Sequence, residues 1–292
     1  VEVQEKNHIN FNELMDIIQC SFDSLEDLKK EKVIMPIGKT GAGKTTFLLF
    51  LQGAKFKKNG DSFDYEVNNP IGKIGGSYTS ETKFISTRNI QNFVLLDGPG
   101  GMDSRGLTID LANYVIVSKS MKLCKQLIPV VVFNYHSLKL DKAQHFMADL
   151  ESYSGMFAHN ESALSKVFFI FSHVPDNITA EEIKEQLQTL CNTDSKCNTD
   201  NVKLLLDVII DKFDLQQSKI FKPLDDRKRW MRIIGRAKPI TNAAEICCLS
   251  LSTELYSKLE IQLKNVQMQV TECFNTRNLD ELKSNLSLLF NL

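Results

Sequence analysis

Val33-Ile34-Met35-Pro36-Ile37-Gly38-Lys39-Thr40-Gly41-Ala42-Gly43-Lys44-Thr45 is the stretch that decides the fold. Val33 to Ile37 reads as a short buried strand, Gly38 to Thr45 satisfies GxxxxGK[ST] at every fixed position, and the apolar segment from Thr45 to Phe56 reads as a helix. Strand, loop and helix in this order are the setting in which such a loop grips phosphate. Gly38, Gly41 and Gly43, with Lys39, Thr40 and Ala42 between them, let main-chain N–H groups turn inward around a β-phosphate. The helix beginning near Lys44 adds the positive end of its dipole. Lys44 is placed to reach the β- and γ-phosphates as a point charge and Thr45 to offer a hydroxyl to Mg²⁺, while the backbone of Gly43 and Thr46 completes the cradle.

Downstream, the apolar run Phe93 to Leu96 ends in Asp97-Gly98-Pro99-Gly100, a DxxG pattern placed 53 residues after Lys44. A carboxylate at a strand end suits the Mg²⁺ shell, and the N–H of Gly100 would face a γ-phosphate and sense its presence. Between the two motifs, the polar stretch Gly75-Gly76-Ser77-Tyr78-Thr79-Ser80-Glu81-Thr82 has the position of a first switch. Thr79 is the candidate hydroxyl for metal coordination, in competition with Thr82 and with a solvated loop that touches no metal.

The flanking sequence alternates. Residues 10–31 carry apolar positions at helical spacing; Thr82–Thr87 and Phe93–Leu96, joined across Arg88–Asn92, read as a hairpin. Further on come helix 108–126, strand 127–133, helix about 140–157, strand 167–171, helices 180–190 and 202–213, and strand 219–221. Such alternation predicts an α/β fold, a three-layer, doubly wound and mostly parallel sheet that binds ligands at the carboxyl ends of its strands. From Leu255 onward leucines and valines recur at spacings of three and four, as in long helices. The expected organisation is an amphipathic N-terminal helix over 1–30, a nucleotide-binding domain over 31–225, and a helical extension over 226–292. The extension either folds back onto the domain or leaves it as a coiled coil toward a helical partner through residues 250–292. With no initiator Met, and with the pattern still running at Leu292, the natural chain is expected to continue.

Composition narrows the classes. Lys+Arg 35 against Asp+Glu 36 removes the electrostatic case for a nucleic-acid partner. The apolar runs fall far short of the ~20 residues of a membrane span, and no secretory signal is visible, so a cytoplasmic protein, at most peripheral to a membrane, is expected. Seven cysteines at irregular spacing match no metal-ligand set and read as free thiols, Cys191 and Cys197 included. Thirteen of the 14 glycines lie between Gly38 and Gly155, so permissive backbone is concentrated around the two phosphate motifs.

GKTGAGKTT together with DGPGGMDSRG resembles the translation-factor-related class of P-loop GTPases, and within it the septin-like group of septins, Toc chloroplast-import GTPases and GIMAP proteins. DSRG and IDLANYVIV also look like uncharacterised multidomain GTPases of protists. The resemblance covers about residues 31–225 and is specific at the two phosphate motifs. It implies a guanine nucleotide (GTP/GDP) with Mg²⁺, and a homodimer or homo-oligomer through the nucleotide domain. Guanine selection in this class uses [NT]KxD after the fifth strand; here Ser172-His173-Val174-Pro175-Asp176 follows that strand, with Asp176 one residue late. Ser172, His173 and, across a one-residue bulge, Asp176 are the candidate base-binding residues. Adenine and a site with no competent base recognition are the alternatives. Gly101 stands where Ras-like enzymes carry the water-orienting Gln, so hydrolysis is expected to be slow unless a second copy contributes. Arg105 is the candidate for that contact, against a local salt bridge. Lys44, Thr79, Gly100 and Arg105 thus make up the candidate catalytic set, and Thr45, Thr79 and Asp97 the candidate metal set. A pseudo-GTPase scaffold is the rival reading. Arg227, Lys228, Arg229 and Arg232 are expected to form a solvated helix face that buries Trp230.

Overall fold

In the computed structural model, residues 9–22, 28, 32–60, 62–74, 85–101, 105–157, 160–193, 200–214, 219–251 and 253–276 are described. β1 (Lys32–Ile37) pairs in parallel with both β5 (Phe93–Asp97) and β6 (Gln126–Asn134). β7 (Phe168–Ser172) and β8 (Lys219–Ile220) continue the sheet beyond β6, and β4 (Ser86–Ile90) closes the other edge antiparallel to β5. The six-stranded order is β4-β5-β1-β6-β7-β8. Chain order reverses at β1, whose neighbours come from opposite directions, so the carboxyl end of β1 is the topological switch point where α/β sheets bind ligands. The mostly parallel sheet with helices on both faces is the three-layer, doubly wound α/β architecture that the sequence predicts.

Two cores follow from the period of two along buried strands. Val33, Met35, Val94, Leu96, Val131 and Phe133 point to one face and Ile34, Leu95, Val130, Val132 and Ile170 to the other. The first face is covered by α3 (Leu107–Leu123), α5 (Gln144–Met156) and α8 (Asp200–Asp214), with α1 (Phe11–Phe22) against α3; α4, α6 and α7 are Tyr135–Lys139, Glu161–Leu164 and Ala180–Thr193. The second face is covered by α2 (Lys44–Gln52) and α9 (Arg227–Gly235). Phe47 through Leu51 are all buried, so α2 is apolar nearly all round, as a central helix must be.

Four element boundaries depart from the sequence reading. The helix expected to run to Phe56 stops at Gln52. Gly53 takes φ 102°, and its N–H reaches the carbonyls of Leu49 and Phe50, a glycine cap that reverses the chain. Phe56 instead belongs to a separate hairpin, β2 (Lys55–Asn59) with β3 (Ser62–Glu66), held by ring contacts of Phe56 with Phe63 and Tyr65. In the second hairpin, Arg88–Ile90 are strand rather than connection, and the turn is Gln91-Asn92 with Gln91 at φ 50°. Finally, the helix expected from about 140 is preceded by α4, because the Asn134 side chain accepts the His136 N–H and caps it. Residues 23–27, 29–31, 75–84 and 277–292 lie outside the described residues, and with them the ends of the expected N-terminal helix and heptad pattern.

Residues past 225 contribute to both cores. Trp230 is 5% exposed and meets Phe47, Phe50 and Phe221 edge-on at centroid distances of 5.5, 6.4 and 5.9 Å. Ile240 exchanges two backbone hydrogen bonds with Leu127, and α10 (Ala243–Ile246) lies on α3. α11 (Thr253–Thr276) starts against the body through buried Leu255, while Tyr256, Ile261 and Met268 are exposed. Among the described residues no helix is long and apolar enough to cross a membrane, and Cys20, Cys124, Cys191, Cys247 and Cys248 are free thiols. Trp230→Ala removes the centre of the aromatic cluster and is expected to lower the unfolding free energy by about 3–5 kcal/mol, measured by denaturant titration followed by far-UV circular dichroism.

Candidate functional site

At the carboxyl end of β1 the chain turns through Gly38–Gly43 into α2. Gly43 has φ 89° and Gly41 φ 78°, left-handed conformations that a side chain would strain. At Gly38 the constraint is contact: an added Cβ would lie 2.7 Å from the Val132 carbonyl oxygen on β6. The Lys44 ammonium is buried inside the loop and donates to the Lys39 carbonyl at 2.9 Å. It is thus already aimed at the space that the loop encloses.

The DxxG segment packs against this loop. Asp97, fully buried at the end of β5, accepts the Thr45 hydroxyl at 2.9 Å. The Thr40 N–H donates to the Gly101 carbonyl at 3.1 Å, and Asn113 of α3 donates to the Gly100 carbonyl at 2.9 Å. A Cβ on Gly100 would lie 2.6 Å from the Thr40 nitrogen and 2.7 Å from Lys44 Nζ. Only glycine lets the two loops come so close. Gly72 shows the same constraint on the other side, since its Cβ would meet Asp97 Oδ2 at 2.7 Å and Thr45 Cγ2 at 2.9 Å. The backbone at Gly72 therefore passes directly over the Thr45–Asp97 pair.

This donor set fits Mg²⁺. A hydroxyl and a carboxylate 2.9 Å apart are hard oxygen ligands, and the glycine over them leaves a recess that a side chain would fill. Thr79 and Thr82 lie outside the described residues, as do residues 102–104; Arg105 is half-buried in the turn before α3.

At the segment expected to bind the base, Ser172 ends β7 and donates to the Ala42 carbonyl at 2.7 Å, tying that strand to the Gly38–Gly43 loop. His173 follows at φ 55°, with its Nδ1 3.0 Å from Ser172 Oγ and its Cε1 3.5 Å from where a Gly43 Cβ would stand. Burial, and secondarily the charge of His136, lowers its pKa and favours the neutral ring. Asp176 is separate from this group. Its side chain is 82% exposed and pairs with Lys222 of the loop after β8 at 2.7 Å, which lowers its pKa.

Helix α5 supplies residues that the motifs do not show. Asp149, 6% exposed at its side chain, forms an ion pair with Lys39 at 2.9 Å, and Lys39 also donates to the His145 carbonyl at 2.9 Å. Burial raises the Asp149 pKa from 3.8 to about 6 despite the attraction of Lys39. A trace of this was present in the sequence, since Asp149 shares the i, i+3, i+4 face of Phe146, Leu150 and Tyr153, where an acid is out of place. Gln52 is the other addition: it accepts the Ile71 N–H and donates to the carbonyls of Asn68 and Asn69.

No protein-family model and no curated protein matches the sequence. Solved structures with a similar fold include Toc33 from Arabidopsis thaliana in complex with GDP and Mg²⁺, at 10% identity and a TM-score of 0.44, covering 79% of this chain and 97% of that one. A dimerization-deficient mutant of Toc33 is similar at 11% identity and a TM-score of 0.41, covering 72% of this chain and 75% of that one. A probable GTP-binding protein engB is similar at 14% identity and a TM-score of 0.41, covering 70% and 96%.

The Asp149 shift has a definite sign. A carboxyl whose folded pKa is raised adds stability that is complete below the unfolded value near 3.8 and is lost as pH rises through about 6. Asp149→Asn is therefore expected to match the wild type near pH 4 and to exceed it above about pH 6.5, by about 1–3 kcal/mol, in denaturant midpoints measured across that range.

Proposed function

We propose that this chain is a guanine-nucleotide-binding switch that hydrolyses GTP slowly with Mg²⁺ and uses its two loops to gate assembly. The observation that carries the reading is the close approach of Gly100 to the Lys44 ammonium and the Thr40 amide, so tight that an added Cβ would lie 2.7 and 2.6 Å from them. A γ-phosphate drawn to that ammonium would press on the DxxG glycine, so the number of phosphates bound would set the position of residues 98–101. Lys44 and the inward N–H groups bind the phosphates, and Thr45 and Asp97 hold Mg²⁺. The ion, when bound, neutralises charge developing on the β- and γ-oxygens.

Ser172 fixes the base-side loop on the phosphate loop, and neutral His173 offers a flat ring beside Gly43 for the purine. Asp176 would provide guanine discrimination once released from Lys222. Gly101, lacking a side chain, cannot orient water, so appreciable turnover needs a group from elsewhere. Arg105 of a second copy, in a homodimer through the nucleotide domain, is the group proposed. That same glycine favours the second reading, a pseudo-GTPase scaffold in which nucleotide serves structure alone.

Titration with fluorescent GDP and a non-hydrolysable GTP analogue is expected to show tight binding that Lys44→Ala weakens by at least about a hundredfold, with ATP competing poorly. Equal affinity for ATP and GTP overturns the guanine assignment. Phosphate release no faster than in Thr45→Ala, at protein concentrations that favour dimers, selects the scaffold reading.

A further inference from the structure

Lys39 occupies a variable position of the GxxxxGK[ST] pattern, yet both its ammonium and its carbonyl are committed. Its ammonium meets the Asp149 carboxylate and the His145 carbonyl, each at 2.9 Å. The Tyr153 hydroxyl lies against its main chain. Its carbonyl accepts the Lys44 ammonium at 2.9 Å, and its backbone bridges in parallel to Gly101 of the DxxG segment. Three of these partners lie on successive turns of α5. The helix therefore holds residue 39 of the loop by its side chain, and the carbonyl of that same residue accepts from the lysine that meets phosphate.

Under this junction is a cavity of about 20 Å³ between Lys39, Gly101, Asn113, Asp149 and Ser152. It has the size for one water. The Ser152 hydroxyl borders it, buried and without a protein partner. A buried carboxylate is an expensive way to anchor a loop, and burial outweighs the lysine in setting its protonation. An amide in its place would be the more stable choice at neutral pH. The contact joins α5 directly to the residue whose carbonyl holds Lys44.

We propose that Lys39 is a positioning residue of the nucleotide site, clamped by Asp149 and Tyr153 of α5 so that its carbonyl holds Lys44 in phosphate-binding orientation. The inference rests on the nucleotide-binding reading above. It makes α5 the element that bears directly on phosphate affinity, and it ties that affinity to the charge of Asp149. The groups facing Asp149 are Lys39 from the phosphate loop, His145 and Tyr153 from α5 itself, and Tyr114 from α3 by way of Tyr153.

The test measures fluorescent GDP affinity and thermal midpoint together, on the full chain, for wild type, Asp149→Asn, Lys39→Met, Lys39→Arg and His145→Gln between about pH 5 and 8. Asp149→Asn and Lys39→Met are expected to bind about tenfold more weakly at pH 7.5, Asp149→Asn with a thermal midpoint no lower than wild type. Lys39→Arg recovers most of the loss. Wild type and His145→Gln lose affinity below about pH 6 relative to Asp149→Asn, whose profile lacks that component. Lys44-dependent binding that neither Asp149→Asn nor Lys39→Met alters overturns the positioning role alone. Absence of any Lys44-dependent binding in the wild type overturns this inference together with the nucleotide reading. A loss of affinity in Asp149→Asn that follows a lowered thermal midpoint shows a structural contact and also overturns it.

Discussion

The structure depends on keeping open a loop that has no ladder of its own. Residues 38–43 lie between a strand and a helix, and such a loop keeps its shape only if its surroundings hold it. It is held from three sides. Ser172 at the end of β7 takes the Ala42 carbonyl, Gly101 beyond β5 takes the Thr40 N–H, and α5 takes Lys39. Each restraint comes from a segment far away in sequence, and they converge only because β1 lies at the centre of the sheet between β5 and β6.

The sheet's position follows from the two cores. Strand residues alternate between a broad face carrying most of the helices and a narrower one where α2 and α9 meet through aromatic rings. The narrow face sets the direction of α2, and so of the helix dipole and of Lys44 at its start. Chain beyond residue 225 is needed for that packing, since Trp230 fills the angle between Phe47 and Phe221. Lys228, Arg229 and Arg232 of α9 are exposed, whereas Arg227, expected on the same solvated face, is half-buried and donates to the Leu51 carbonyl at 2.8 Å.

Legibility from sequence tracked how local the chemistry is. GKTGAGKT and DGPG could be read because each residue is fixed by a need within its own few neighbours: a left-handed turn, a dipole, a point charge, a backbone approach. The strands around them were legible for a similar reason, since full burial on both faces leaves continuous apolar runs. Phe56 misled because a helix ending at glycine and a short hairpin strand share the same apolar residue, and the difference rests on the φ of Gly53. Ser172 was legible as a position, whereas its bond to Ala42 spans 130 residues. Lys39 was hidden because the motif leaves its position unspecified, and its partner on α5 is 110 residues away in the chain. Gly72 had no motif; its constraint comes entirely from Asp97 and Thr45, which the fold brings to it.

The contacts of Gln52 give the hairpin β2–β3 a particular standing. One amide at the end of α2 bonds Asn68, Asn69 and Ile71, so the excursion that leaves at Gly53 returns to within a side chain's length of its departure. The two strands hang from a closed neck, outside the six-stranded sheet. Closure there is a single entropic term that grows only slowly with the number of residues beyond the neck. Length and composition of the excursion are thereby uncoupled from the path of Gly72 over Asp97. The hairpin is a module that can diverge in sequence while the ground beneath it stays fixed.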